Sequence, residues 1–270
     1  MKPAVHTSST MRTNALRKTP GARAAIVAIA LAAGLAACGD KAAPGAKPAD
    51  AAAASAPSLA DAASPAAARK AQEDAVKAAL PKANKATPSA DYTELSSGHQ
   101  VMFAYLALAA MPIDYKEIAE RFSQDYSRAG DEFRKNDLLT ALKPKIDGEV
   151  SKAGARRYLK MTIDNPIEKY DFDKKGFPVQ SGIWEAGSYR YFNDNGSYKL
   201  GFSNGETFRY LDVAAEDSAR AIENLRGKYE PLRLVVYCFT QDADVSNKTI
   251  KAEIVKVELI DKRGNVLASK

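Results

Sequence analysis

Three hydrophobic regimes succeed one another along the chain. Ala24 to Ala37 is an unbroken apolar run of fourteen residues behind a polar, basic stretch. From Gly39 to about Ala90 the chain is rich in Ala and Pro, without one aromatic residue. From Tyr92 onward aromatic and branched side chains recur to the last strand. Only this third regime carries the periodicity of packed elements. The apolar run is shorter than the ~18–20 residues a membrane-spanning helix needs and has the layout of a secretory signal. The middle regime buries too little surface to offset chain entropy, which predicts a disordered tether over 38–90. Its root-mean-square reach is on the order of 40 Å. Residues 66–80 within it have helical propensity, and Pro81 and Pro88 end that tendency.

The body, 91–270, divides where the period changes. In 91–153 the spacing is helical. Gly98 to Ala110 follows Ser96 or Ser97 as cap and stops at Pro112. Asp114 and Glu117 have capping-box spacing, with Ile118, Phe122 and Tyr126 on one face. A further helix carries Phe133, Leu138, Leu142 and Ile146, with a kink expected at Pro144. In 154–270, "RRYLKMTID" and "EKYDF" read as strands, and Tyr189 to Tyr210 reads as a three-stranded meander. A two-residue Asn195-Gly196 turn sets Tyr191 opposite Leu200 and Tyr189 opposite Phe202. A three-residue Ser203-Asn204-Gly205 loop then sets Leu200 against Phe208 and Tyr198 against Tyr210. Those aromatic residues are expected to form the core side of the sheet. Asp212 is expected to cap a helix running through Ile222, Leu225 and Tyr229. "LRLVVYCFTQ" and "TIKAEIVKVELI" follow as long strands, the second changing parity between Ile254 and Val255, which predicts a bulge. A turn at Asp261–Asn265 leads to a short last strand. Helices first and mostly antiparallel strands after, with one further helix, give an α+β fold.

Charge changes the picture through its location. The 270 residues carry a formal charge of +6, but residues 1–37 hold five bases and no acid, leaving 34 bases against 33 acids. A body this near neutrality has no global pull toward nucleic acid. At the end of the apolar run, Leu35-Ala36-Ala37-Cys38 resembles the lipobox of bacterial lipoproteins. That resemblance implies a diacylglyceryl thioether on Cys38, cleavage before it and acylation of the new amino group. Three acyl chains, each adding about 0.8 kcal/mol per buried CH₂, make a permanent anchor. The position after Cys38 is Gly39, with Asp40 one further on; in lipoproteins aspartate directly after the cysteine favours inner-membrane retention. The periplasmic face of the outer membrane is therefore the expected location, with the inner membrane as the alternative. A start at Met11 gives a signal of more usual length than one at Met1.

Candidate chemistry is sparse. Beyond Cys38 only His99 and Cys238 remain after processing, too few for a structural zinc site of cysteines and histidines, so no metal or cofactor other than the lipid is expected. Cys238 reads as a buried strand residue. "GFSNG" matches G-x-S-x-G around Ser203, but it lies between strands with no histidine after it, so a turn is expected. "DFDKKG" and "DADVSN" lack the full ligand set of calcium loops and read as turns. No phosphate loop or dinucleotide fingerprint occurs. Opposite the aromatic face of the meander, Arg190, Lys199 and Arg209 would project from three neighbouring strands. Such a patch would meet lipopolysaccharide phosphates or peptidoglycan carboxylates. Glu185, Asp194, Glu206 and Asp212 flank the same stretch and supply an alternative, a cell-wall hydrolase using paired carboxylates. The stretches "SSGHQVMFAYLALAAMPIDYKEIAERFS", "DEFRKNDLLTALKPKID", "YDFDKKGFP" and "VYCFTQDADVSNKTIKAEIVKVELID" resemble an uncharacterised domain of proteobacterial lipoproteins, a family of unknown function. The resemblance implies an envelope lipoprotein and brings no known activity; the expected role is a tethered, non-catalytic module that binds an envelope protein, peptidoglycan or lipopolysaccharide. It carries over no site residue besides Cys38.

Overall fold

Helix starts in the first half of the body are fixed by side-chain caps, and the computed structural model, which describes residues 64–180 and 182–270, places them where the sequence does. The signal segment, Cys38 and the tether as far as residue 63 lie outside the described residues. Helix α1 (Pro65–Ala79) is capped by Ser64 and buries none of its side chains. Helix α2 (Gly98–Ala109) begins at Ser97 in a full capping box with Gln100. Helix α3 (Tyr115–Phe122) begins at Asp114, whose carboxylate accepts from the Lys116 and Glu117 amides. After the single turn α4 (Gln124–Ser127), helix α5 (Glu132–Ala155) starts at Asp131 and runs through Pro144. It buries Leu139, Leu142 and Ile146 against the core. Phe133 does not join them: it stands in the first turn, 85% exposed.

The sheet is mixed and mostly antiparallel. Strands β6 (Arg233–Asp244) and β7 (Thr249–Ile260) form its central hairpin. Strand β2 (Tyr158–Asp164) flanks β6, and the two-residue β1 (Thr93–Glu94) lies parallel beyond it. The outer edge of β7 is shared: β4 (Lys199–Phe202) runs parallel to its first half and β8 (Val266–Ser269) antiparallel to its last residues. Strands β3 (Gly176–Pro178) and β5 (Tyr210–Asp212) pair separately. Helix α6 (Glu216–Gly227) precedes β6. The architecture is α+β. One face of the sheet packs on the helices through Leu159, Met161, Leu234, Val236, Cys238, Ile250 and Ile254, all below 8% exposed. Each such fully buried aliphatic side chain contributes about 1.5–3 kcal/mol of transfer free energy. The expected bulge is present: Tyr237 pairs with Lys256 and Cys238 with Ile254, leaving Val255 as the extra residue.

The other face carries an aromatic cluster. Tyr92 meets Tyr158 and Tyr237 edge-on at 5.3 and 5.0 Å, and Tyr158 leans on Phe239. The chain from Pro81 to Asp91 crosses this face as a strap, held by side chains rather than by a ladder. Glu253 Oε2 accepts from the Ala83 amide, Tyr158 Oη from the Asn84 amide, and Pro81 O from Gln241 Nε2. Where the sequence carries the tether to residue 90, side-chain hydrogen bonds to the body begin at Pro81.

Three expectations are corrected. The meander does not form: residues 191–198 make a wide loop, Gly205–Phe208 is a 3-10 turn, and Tyr210–Asp212 pairs with β3 instead. Arg190, not Tyr191, is bridged to Leu200. That one-residue shift turns Tyr189 and Tyr191 outward and Arg190 inward. Asp212 ends β5 and pairs with Lys270, while α6 starts after Ala215. Tyr229 follows α6 with φ +57° and is almost fully exposed, so it packs on nothing in the core. "EKYDF" contributes only an isolated bridge at Asp171, beside another at Ile167.

Candidate functional site

Strand β4 builds the most elaborated surface site. Lys199 pairs with Thr249 and Gly201 with Lys251 in parallel register. Paired residues of parallel strands share a face, so Lys199 and Lys251 are diagonal neighbours on the outer side of the sheet. Leu200 and Ile250 alternate inward and are fully buried. The Arg190 amide and carbonyl bond to Leu200 at 2.7 and 2.8 Å, which fixes Tyr189 and Tyr191 on the outer side as well, each about half exposed. Lys199 Nζ lies 4.4 Å from the centroid of the Tyr189 ring. Gly201 keeps the floor open: a Cβ there would stand 3.1 Å from the Ser188 carbonyl oxygen. The resulting cavity is about 380 Å³ and is walled by Ser188, Tyr189, Lys199, Asp244, Asn247 and Lys251.

This cavity continues past Gly187, Ser203 and Lys251 into a wider depression of about 600 Å³ whose far wall is α1. Arg69, Gln72, Glu73, Val76, Lys77 and Leu80 face it, at the spacing of one helical stripe. Together they make a track between α1 and the β4 edge. Asp244 is committed to the hairpin turn, accepting from the Ser246 amide and Asn247 Nδ2, both at 3.0 Å. The Asn247 bond, with Lys251 nearby, holds its carboxyl below the usual range. Ser203 Oγ donates to Gln241 Oε1 at 2.6 Å, so the G-x-S-x-G string holds a structural hydroxyl at the end of β4.

No family model, curated protein or solved structure matches the chain.

The structure separates the three cations that the sequence groups. Lys199 lines the cavity. The Arg190 guanidinium lies 5.6 Å from the Phe192 ring, with its Nε buried and unpaired. Arg209 forms an ion pair with Glu185 at 3.0 Å beyond the 3-10 turn. A patch on three adjacent strands is therefore absent, because the strands that would carry it are a loop edge, β4 and a turn. Lys251 is the partner that sequence reasoning missed. Alternation in "TIKAEI" marks it as outward-facing, but only the long-range parallel pairing brings it beside Lys199.

The four acids do not converge either. Glu185 is bound to Arg209 and Asp212 to Lys270, while Glu206 lies exposed in the 3-10 turn. Asp194 caps α2, accepting from Gly98 N, Ser97 Oγ and His99 N. His99 lies between Asp194 Oδ2, 3.1 Å from Nδ1, and the Arg121 carbonyl oxygen, 2.8 Å from Nε2. A second polar cluster joins α3 to the β6–β7 hairpin: Glu117 Oε1 accepts from Lys248 at 2.7 Å and Arg121 at 3.3 Å. The Lys248 bond is the main reason its carboxyl sits below the usual range. Cys238 is fully buried, and burial pushes its thiol up to about 12, which removes it as a nucleophile. "DFDKKG" closes a turn in which Asp171 Oδ1 accepts from the Lys174 amide. Among the described residues no helix is long and apolar enough to cross a membrane, and no three metal-ligating side chains cluster. The track offers an aromatic plate, three lysines, an arginine and several hydroxyl and amide groups, which is the chemistry of holding a ligand.

Proposed function

We propose that the chain is a lipid-anchored lipoprotein of the bacterial cell envelope. A thioether on Cys38 holds it at the periplasmic face of the outer membrane, and its body is a non-catalytic binding or assembly module. The lipobox, with Gly39 rather than aspartate after the cysteine, supports the address. The observation that carries the binding role is the open track beside β4, where Tyr189, Lys199 and Lys251 line a cavity whose one acid closes a turn. The scattered acids lend no support to a paired-carboxylate hydrolase. The anchor is tested by Cys38→Ser, which should abolish palmitate labelling and cleavage of the signal; continued labelling would rule the anchor out. A mature chain that starts elsewhere, with no lipid mass, defeats the reading. The binding role is tested by in-cell photocrosslinking from the body, which should capture an envelope component; crosslinks to soluble proteins only would defeat it.

A further inference from the structure

We infer that the track between α1 and the β4 edge is a saccharide site for a glycan strand bearing acidic groups. This deepens the binding-module reading and rests on it. Tyr189 and Lys199 act as one unit. The ammonium stands over the ring, 4.4 Å from its centroid, so one face carries the positive charge and the rest of the half-exposed ring is the apolar plate. A pyranose presents apolar C–H groups on its face and hydroxyls at its rim, and it stacks on such a plate. A carboxylate or phosphate on that ring reaches Lys199, and Lys251 follows one diagonal step along the sheet.

The mixed lining selects the ligand class. Arg69, Lys77, Lys199 and Lys251 against Glu73 and Asp244 leave the lining net positive, which favours an anionic ligand and discriminates against an apolar one. A chain of hydroxyl-rich rings with separated acids satisfies donors and acceptors alike. The shape selects a strand over a single sugar: cavities of about 380 and 600 Å³ run into each other along Gly187, Ser203 and Lys251. The glycine at 201 lets a ring lie close to the backbone. Helix α1, within the stretch that the sequence assigns to the tether, supplies Arg69 and Lys77 on the far wall. Peptidoglycan, with carboxylates, and lipopolysaccharide, with phosphates, share this chemistry.

Co-sedimentation of the full-length detergent-solubilised protein tests the site, with three arms: purified peptidoglycan, lipopolysaccharide and an uncharged glucan. Retention is expected on one acidic glycan and not on the glucan. Lys199→Ala with Lys251→Ala should weaken it more than ~10-fold, since charge-assisted bonds are lost. Tyr189→Ala should weaken it by ~3–10-fold through lost stacking. Arg220→Ala on α6 should change nothing, and matching circular dichroism of all variants guards against misfolding. Wild-type protein that binds neither acidic glycan, or binds the glucan equally, overturns the site. So does binding that survives both groove variants. Crosslinking to an envelope component would still uphold the binding-module reading in those cases, so the two failures are distinguishable.

Discussion

Asp194 gathers the N-terminus of α2 from ninety-odd residues away. Its carboxylate accepts from the Gly98 amide at 2.8 Å and the Ser97 hydroxyl at 2.9 Å, with the His99 amide at 3.3 Å. Gly98 makes the approach feasible, because a Cβ there would stand 2.6 Å from the Asn195 carbonyl oxygen. The carboxylate also sits at the positive end of the helix dipole. Partial burial pushes its pKa up, but those hydrogen bonds outweigh it and hold the group below the ordinary 3.8. The sign follows from linkage: a depressed folded-state pKa gives stability that is present above the unfolded value and lost as pH falls through the folded one. Asp194→Ala should therefore cost about 1–2 kcal/mol at pH 7, the range of a strong N-cap. The gap to wild type should close as the pH drops below 3.8; urea titrations at pH 7 and at lower pH measure it. A gap that stays constant with pH would assign the cost to packing instead. Ser97 and Asp114 are legible in the sequence because their partners lie within three residues. Asp194 is not, because its partners arrive only when the loop folds over α2.

Elements show the same division between local and distant pairing. The bulge at Val255 is legible, since a parity change within one strand is a local pattern. The meander was not, although Asn195-Gly196 is a strong turn signal. The loop opens so that Asp194 reaches α2, and Leu200 then bridges Arg190 rather than Tyr191. Strand β4 finds its ladder on β7, some fifty residues on. Between β4 and β8 the edge of β7 has a gap, and the Asn204 side chain fills it. Its Nδ2 donates to the Ile254 carbonyl at 2.9 Å and its Oδ1 accepts from the Ile254 amide at 2.8 Å. One amide side chain thus imitates a strand residue on an edge that would otherwise invite pairing. Asn204→Ala leaves a partly buried donor and acceptor unpaired and should destabilise by about 1–3 kcal/mol. Asn204→Asp, which sets a carboxylate oxygen against the Ile254 carbonyl oxygen, should cost at least as much as Ala. Chemical denaturation of the three proteins checks the order, and an Ala variant as stable as wild type would mean that water fills the gap.

At the scale of the molecule, the sheet is clamped from both sides. Helices α2 and α5 belong to the core on one face, while the strap and the Tyr92–Tyr158–Tyr237–Phe239 cluster lie on the other. Gln241, only 4% exposed, ties the two ends of this arrangement, donating to Pro81 O in the strap and accepting from Ser203 at the end of β4. A sequence displays such a core only as alternation; it does not display which residues sit beneath a strap. Cys238 reports on how the assembly opens. It lies mid-sheet on β6, paired with Leu159 of β2 and Ile254 of β7, and is the single free cysteine among the described residues. Alkylation requires both exposure and deprotonation, and burial opposes each, the thiol being pushed up to about 12. If the sheet opens only with the whole body, iodoacetamide labelling of Cys238 in increasing urea should follow the loss of circular dichroism in one transition. The bulge beside it is one of two register breaks in the central hairpin, since Val255 adds length without a ladder partner. Labelling that precedes global unfolding would therefore place a local opening at the bulge, and Val255 deletion should then suppress the early phase.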